Sequence, residues 1–178
     1  KGTWTPYQRN EEGVRYWAIP GTEGFTHILG GLEKDNATGA ISTNPENHHL
    51  MTQLRQQKID NIKVPDVVVE GDKDDAELLI VGFGGTYGHL HAAMDDMRAA
   101  GKKVALAHFK YINPLPKNTE EVLKKYPKVV VAEQNMGQFA GYLRMKIDGF
   151  VPSQYNEVKG QPFVVNELVA AFTEILNK

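Results

Sequence analysis

The sequence contains no cysteine. That excludes a disulfide framework, a thiolate nucleophile, and a zinc or iron–sulfur centre ligated by cysteines of this chain. No uninterrupted apolar run approaches the roughly 20 residues of a membrane helix, and no signal-peptide pattern opens the chain. A cytoplasmic location is the default expectation. Long runs of one charge are missing too. A formal net charge of −2, with acidic and basic residues interspersed, leaves no electrostatic footprint for nucleic acid or for an anionic membrane surface. There is no Ser/His/Asp pattern, no G-x-S-x-G and no closely spaced carboxylate pair. Its first residue is Lys1, not methionine, which reads as a fragment or a processed product.

The 178 residues that are present suffice for one well-cored domain with an extension. Two textures divide them. Residues 1–65 are rich in Gly, Thr, Asn, Pro and charge, with "IPGTEG" and "TNPENHH" as turn clusters and one helix-like stretch from about His49 to Ile62. This is too irregular for an isolated domain. Yet Trp4, Tyr7, Tyr16, Trp17, Ile19 and Phe25 are too aromatic for a solvated linker, so the segment is expected to pack over a further surface.

Residues 66–178 alternate β and α signals. The runs "VVVE", "LLIVG", "KVALAHF" and "KVVVAE" read as strands. Between them Leu90, Ala93, Met94 and Met97 fall on one helix face. Asn118 and Glu121 read as a capping box opening "TEEVLKKY", which Pro127 stops. Phe139, Leu143 and Ile147 line a third helix, and Leu168, Phe172, Ile175 and Leu176 a C-terminal one. The pattern predicts a three-layer α/β/α fold around a mostly parallel sheet, with an irregular N-terminal extension.

In such a sheet, ligands bind at the carboxyl ends of the strands. The loops there are "GFGGTYG", "FKYINPLP", "EQNMGQ" and "YNEVKGQPF". Gly82 and Gly84 fill two positions of G-x-G-x-x-G, but the third falls on Tyr87 and Gly88 comes one residue late. His108 and Lys110 stand where a ribose-binding acid belongs, so a dinucleotide site is opposed. The turn reads instead as a tight connection: Gly82, Gly84 and Gly85 let the backbone turn and the helix sit close, and Thr86 caps it. An anion or nucleotide phosphate at that helix N-terminus is the alternative. His89 and His91, two apart on a helix, diverge and cannot share a metal. His48 and His49 read as solvated, and His108 as a partner for a neighbouring loop. Glu133, followed by Asn135 and Gln138, is either a base or ligand contact or a tie between loops through backbone N–H groups. Asn113 in "YINPLP" reads as part of a rigid turn, its side chain bonding backbone. No metal site is expected.

Six stretches, "AIPGTEG", "GLEKDN", "VGFGGTYG", "YINPLPKN", "VVVAEQNMGQ" and "VKGQPFVVNEL", together resemble the C-terminal part of the α subunit of 2-oxoacid:ferredoxin oxidoreductases, most similar to the 2-oxoglutarate type. The resemblance runs from about Ala18 to the C-terminus. It implies that residues 66–178 form a transketolase C-terminal-like domain and residues 1–65 the tail of, and linker from, a pyrimidine-binding domain. It further implies an enzyme complex that oxidatively decarboxylates a 2-oxo acid on thiamine diphosphate, reduces ferredoxin and forms an acyl-coenzyme A. Thiamine diphosphate, magnesium and the iron–sulfur cluster would then lie on a partner β subunit and no cofactor on this chain. Relatives often carry "GSTYG" where this chain has Gly85 and "GLEHD" where it has Lys34. Gly82, Gly84, Gly85, Thr86, Asn113, Glu133, Asn135 and Gln138 are then binding or docking positions, with no catalytic residue among them.

Overall fold

Alternation of side chains along short strands sets the architecture of residues 64–178. The computed structural model describes residues 4–178, in two units, Lys1–Lys63 and Val64–Lys178. In the second, β1 (Val69–Gly71), β2 (Leu78–Phe83), β3 (Val104–Phe109), β4 (Val129–Glu133) and β5 (Ser153–Asn156) form one sheet in the order β1-β3-β2-β4-β5. All pairings are parallel except β1 with β3.

Because neighbouring strand residues point to opposite faces, the sheet feeds two cores. Leu79, Val81, Ala105, Ala107, Val129 and Val131 pack on one side under α3 (Thr119–Lys125) and α4 (Gln138–Lys146), together with Leu123, Phe139 and Leu143. Leu78, Ile80, Val104, Leu106, Val130 and Ala132 pack on the other under α2 (Tyr87–Ala99) and α5 (Val165–Asn177), with Leu90, Met94, Leu168 and Phe172. The chain steps from β2 outward to β3 through α2, then reverses across β2 to β4 and β5 through α3 and α4. Helices on opposite faces for opposite directions of travel mean that these crossovers share one hand. The fold is the α/β, mostly parallel three-layer arrangement that the alternating pattern predicts.

Three expectations need correction. The loop "YNEVKGQPF" begins too early, since its Tyr155 and Asn156 end β5, which pairs to β4. The side chains of β5 are polar and largely exposed, as an edge strand tolerates, so no apolar alternation marked it. Asn118 does not cap α3. Its amide accepts from Val67 N and donates to Val67 O, both at 2.9 Å, tying the approach to β1 to the start of α3. Thr86 does not cap α2 either. Its hydroxyl donates to Phe83 O at 2.8 Å and closes a 3-10 turn over Gly84–Thr86.

The first unit has one helix, α1 (Pro45–Asp60). It starts earlier than the apolar pattern suggests because Asn44 accepts from Asn47 N at 2.7 Å and Pro45 takes the first turn. Asn47, itself buried, holds the preceding loop by accepting from Asn36 N and donating to Lys34 O. His48 is exposed, as expected, and lies 3.0 Å from Glu33. No helix among the described residues is long and apolar enough to cross a membrane.

Candidate functional site

The sheet order puts the topological switch point between β2 and β4, because β2 connects to β3 on one side and the chain later returns to β4 on the other. A cavity of about 390 Å³ lies there, lined by Gly85, His89, Gln134, Gly160, Gln161 and Pro162. Gln134 donates from Nε2 to Gln161 O at 2.7 Å and so joins the loops that follow β4 and β5. A larger cavity, about 660 Å³, opens beside β3 and includes Glu70, Gly84, Tyr87, His108 and Lys110 in its wall. The glycine turn thus contributes to both.

Within that turn the glycines are not equivalent. A Cβ on Gly82 would lie 2.2 Å from Leu90 Cδ1 and 2.9 Å from Thr86 Oγ1, so its missing side chain is what lets α2 lie on the sheet. Gly84 has φ +64°, a left-handed conformation that other residues rarely adopt. Gly85 has neither constraint, since nothing lies within 4 Å of a Cβ placed there. A serine there would fit.

Glu133, Asn135 and Gln138 converge on the start of α4. Glu133 is fully buried, and its carboxylate accepts from Phe139 N at 2.7 Å and Ala140 N at 2.8 Å. Asn135 Oδ1 accepts from Gly137 N at 2.8 Å and Gln138 N at 3.0 Å. The unpaired donors of this helix N-terminus, together with the positive end of its dipole, are therefore answered from within the chain. Gln138 contributes its backbone; its side chain is exposed. Asn113 stands apart in the β3–α3 loop. It accepts from Tyr142 Oη at 3.4 Å, a side-chain contact where a backbone one was expected.

A polar string that sequence reasoning missed borders the larger cavity. Tyr87 Oη donates to Glu70 at 3.0 Å, His91 Nε2 lies 3.3 Å from the same carboxylate, and His91 Nδ1 lies 3.2 Å from Asp95. The Tyr87 ring packs edge-on against His108 at 5.2 Å. His108, expected to bond a loop, is influenced by the backbone of Phe83 and Gly84 in the glycine turn, although its buried Nε2 has no partner within hydrogen-bond geometry among the described residues. Burial lowers its pKa, the Glu70 charge opposes that, and Lys110 reinforces it. The bond to Glu70 raises the Tyr87 pKa. Glu70 carried no signal in sequence, because only the antiparallel addition of β1 to β3 brings it over α2. The string offers hydrogen bonds and a neutral imidazole, but no nucleophile reaches His108. Among the described residues no group of three or more His, Asp or Glu could hold a metal ion.

The sequence profile of the family described as pyruvate:ferredoxin oxidoreductase core domain II matches residues 76–167. The chain is similar to the 2-oxoglutarate oxidoreductase subunit KorA of Mycobacterium tuberculosis (strain ATCC 25618 / H37Rv), with 49% identity over 92% of this chain and 25% of that protein. Subunit alpha of 2-oxoacid:ferredoxin oxidoreductase 2 from Aeropyrum pernix is 29% identical over 96% of this chain and 27% of its own length. The chain thus spans about a quarter of these relatives. Among solved structures, the 2-oxoglutarate:ferredoxin oxidoreductase from Magnetococcus marinus, with 2-oxoglutarate, coenzyme A and succinyl-CoA bound, superposes with a TM-score of 0.85. That match has 31% identity and covers 99% of this chain and 31% of that one.

Proposed function

The chain belongs to the pyruvate:ferredoxin oxidoreductase core domain II family, and from that premise we propose that it is part of the α subunit of a thiamine-diphosphate-dependent 2-oxoglutarate:ferredoxin oxidoreductase. Its role there is assembly and docking, and the catalytic groups lie elsewhere. The similarity to 2-oxoglutarate enzymes across nearly the whole chain supports the substrate class. Residues 66–178 are assigned as the transketolase C-terminal-like domain and residues 1–65 as the tail of a pyrimidine-binding domain. Thiamine diphosphate, magnesium and the iron–sulfur cluster are assigned to the partner β subunit, and ferredoxin and coenzyme A engage the whole complex in the cytoplasm. A chain without cysteine fits that division.

One observation carries the docking role. Large apolar side chains crowd a short stretch of the first unit and stay in solvent: Trp17 is 83% exposed, Ile19 75% and Leu32 66%. A patch of this kind marks an interaction surface. By contrast Glu133, the one buried carboxylate among the described residues, is occupied by α4 and free for no substrate. The test is co-purification of the full-length subunit with its β partner. Trp17→Ser with Ile19→Ser is expected to abolish a stoichiometric complex. Glu133→Gln, where it assembles, is expected to retain 2-oxoglutarate-dependent ferredoxin reduction; an assembled but inactive complex would overturn the non-catalytic role.

A second reading, an anion or nucleotide-phosphate regulatory site, rests on the start of α2, which has no side-chain cap, unlike that of α4. Amide shifts at Gly84–Gly88 on titration with coenzyme A or adenosine diphosphate decide it. Unmoved amides remove it.

A further inference from the structure

A cavity of about 530 Å³ within residues 1–63 is lined by Arg9, Arg15, Lys34, Arg55 and Lys58 against the single carboxylate of Glu33. In a chain with 20 basic and 22 acidic residues, five cations around one acid is a local excess that the rest of the sequence does not share. Nor is the excess neutralised on the spot. Glu33 is already engaged by His48 at 3.0 Å and Arg55 at 3.2 Å. Among the described residues, Arg55 is the one member of the five with an ion pair.

Three of the remaining cations rest on neutral groups. Arg9 donates to Tyr7 O at 2.9 Å and to Asn36 Oδ1, with Met51 Sδ at 3.7 Å. Lys34 is 2% exposed, yet its ammonium meets only the carbonyls of Gly30, at 2.9 Å, and Leu32. Arg15 lies 4.6 Å over the Tyr7 ring, and its Nε is buried without a hydrogen-bond partner among the described residues. Burial, and next the Arg15 charge, lower the pKa of Arg9. Like charges taken partly out of water are costly unless a counter-charge joins them. Gly30 and Gly31 also line the cavity, and nothing lies within 4 Å of a Cβ placed on either.

We propose that this cavity binds a phosphate-type oxyanion, held by the guanidinium groups of Arg9 and Arg15 and the ammonium of Lys34. Planar guanidinium forks match the paired oxygens of phosphate, and two of them beside an ammonium favour a multiply charged anion over a single carboxylate. Leu32 belongs both to this cavity wall and to the exposed stretch assigned to docking above, but the inference rests on the cations and not on that surface.

The test is calorimetric titration of the full-length chain, in a phosphate-free buffer of low ionic strength, with inorganic pyrophosphate and separately with malonate. Saturable binding of one pyrophosphate per chain is expected. Arg15→Gln should weaken it about tenfold or more, as loss of a charge-assisted contact does. Lys58→Glu, an exposed position on α1, should weaken it as well without altering the unfolding transition, and it decides the matter if Arg15→Gln fails to fold. No saturable heat at about 1 mM pyrophosphate, tighter binding of malonate, or binding that survives Lys58→Glu and any folded Arg15→Gln unchanged, as a site at α2 would allow, each overturns the proposal.

Discussion

Gly82 and Gly85 stand three positions apart and make opposite predictions. Gly82→Ala drives a methyl into Leu90 and Thr86 and is expected to cost about 1–3 kcal/mol, the penalty of overpacking. Gly85→Ala meets open space and is expected to be neutral or to stabilise by about 0.4–1 kcal/mol, by restricting the unfolded chain. Urea unfolding of both variants checks the pair; equal effects would contradict the geometry. His108 supplies the pH dependence. Its pKa is lowered from 6.5 by burial, so its neutral form contributes stability that is present above that value and lost as pH falls through the lower, folded-state one. Its ring protons should titrate below pH 6.5 by NMR. Glu70→Gln should push the midpoint lower still, because the Glu70 charge is what opposes the shift. Spacing alone distinguished none of this. The sequence shows three glycines in a turn, but the neighbour that makes one of them obligatory, Leu90, is fixed only when α2 packs on β2.

Elements were legible where burial imposes a period and obscure where it does not. The strands β2, β3 and β4, and the helices α2 and α5, show their apolar pattern because each feeds a core. The edge strand β5 has nothing to bury and shows none. Caps failed for a related reason: Asn118 and Thr86 have the right chemistry, but backbone groups nearer in space claimed them. The cap of α4 came instead from Glu133, on the preceding strand. Glu133→Ala leaves two buried N–H groups without an acceptor and is expected to cost roughly 2–4 kcal/mol. Glu133→Gln, which keeps one acceptor oxygen, should cost less. On the other face Phe172 of α5 is fully buried with Leu90 and Met94. Phe172→Ala is expected to cost about 3–5 kcal/mol by leaving a cavity, measured by chemical denaturation of the full-length chain.

For the whole molecule, residues 64–178 carry two cores of their own, whereas the described residues of the first unit, 4–63, contribute Met51 as their buried hydrophobic side chain. That contrast was visible in composition as two textures. The identity of the proposed partner for the exposed apolar stretch was not, since a sequence records what is apolar and not what it meets. Addition of the β partner to the full-length subunit is expected to slow amide hydrogen exchange over residues 14–32, and unchanged exchange there would place the contact elsewhere. Under the docking role proposed above, the bare side chains of Trp17 and Ile19 also turn subunit stoichiometry into a matter of timing. A chain synthesised ahead of its cover enters a crowded cell with these groups available to any apolar neighbour. Matched production of the two surfaces, more than the intrinsic stability of either, then limits how much complete assembly a cell obtains.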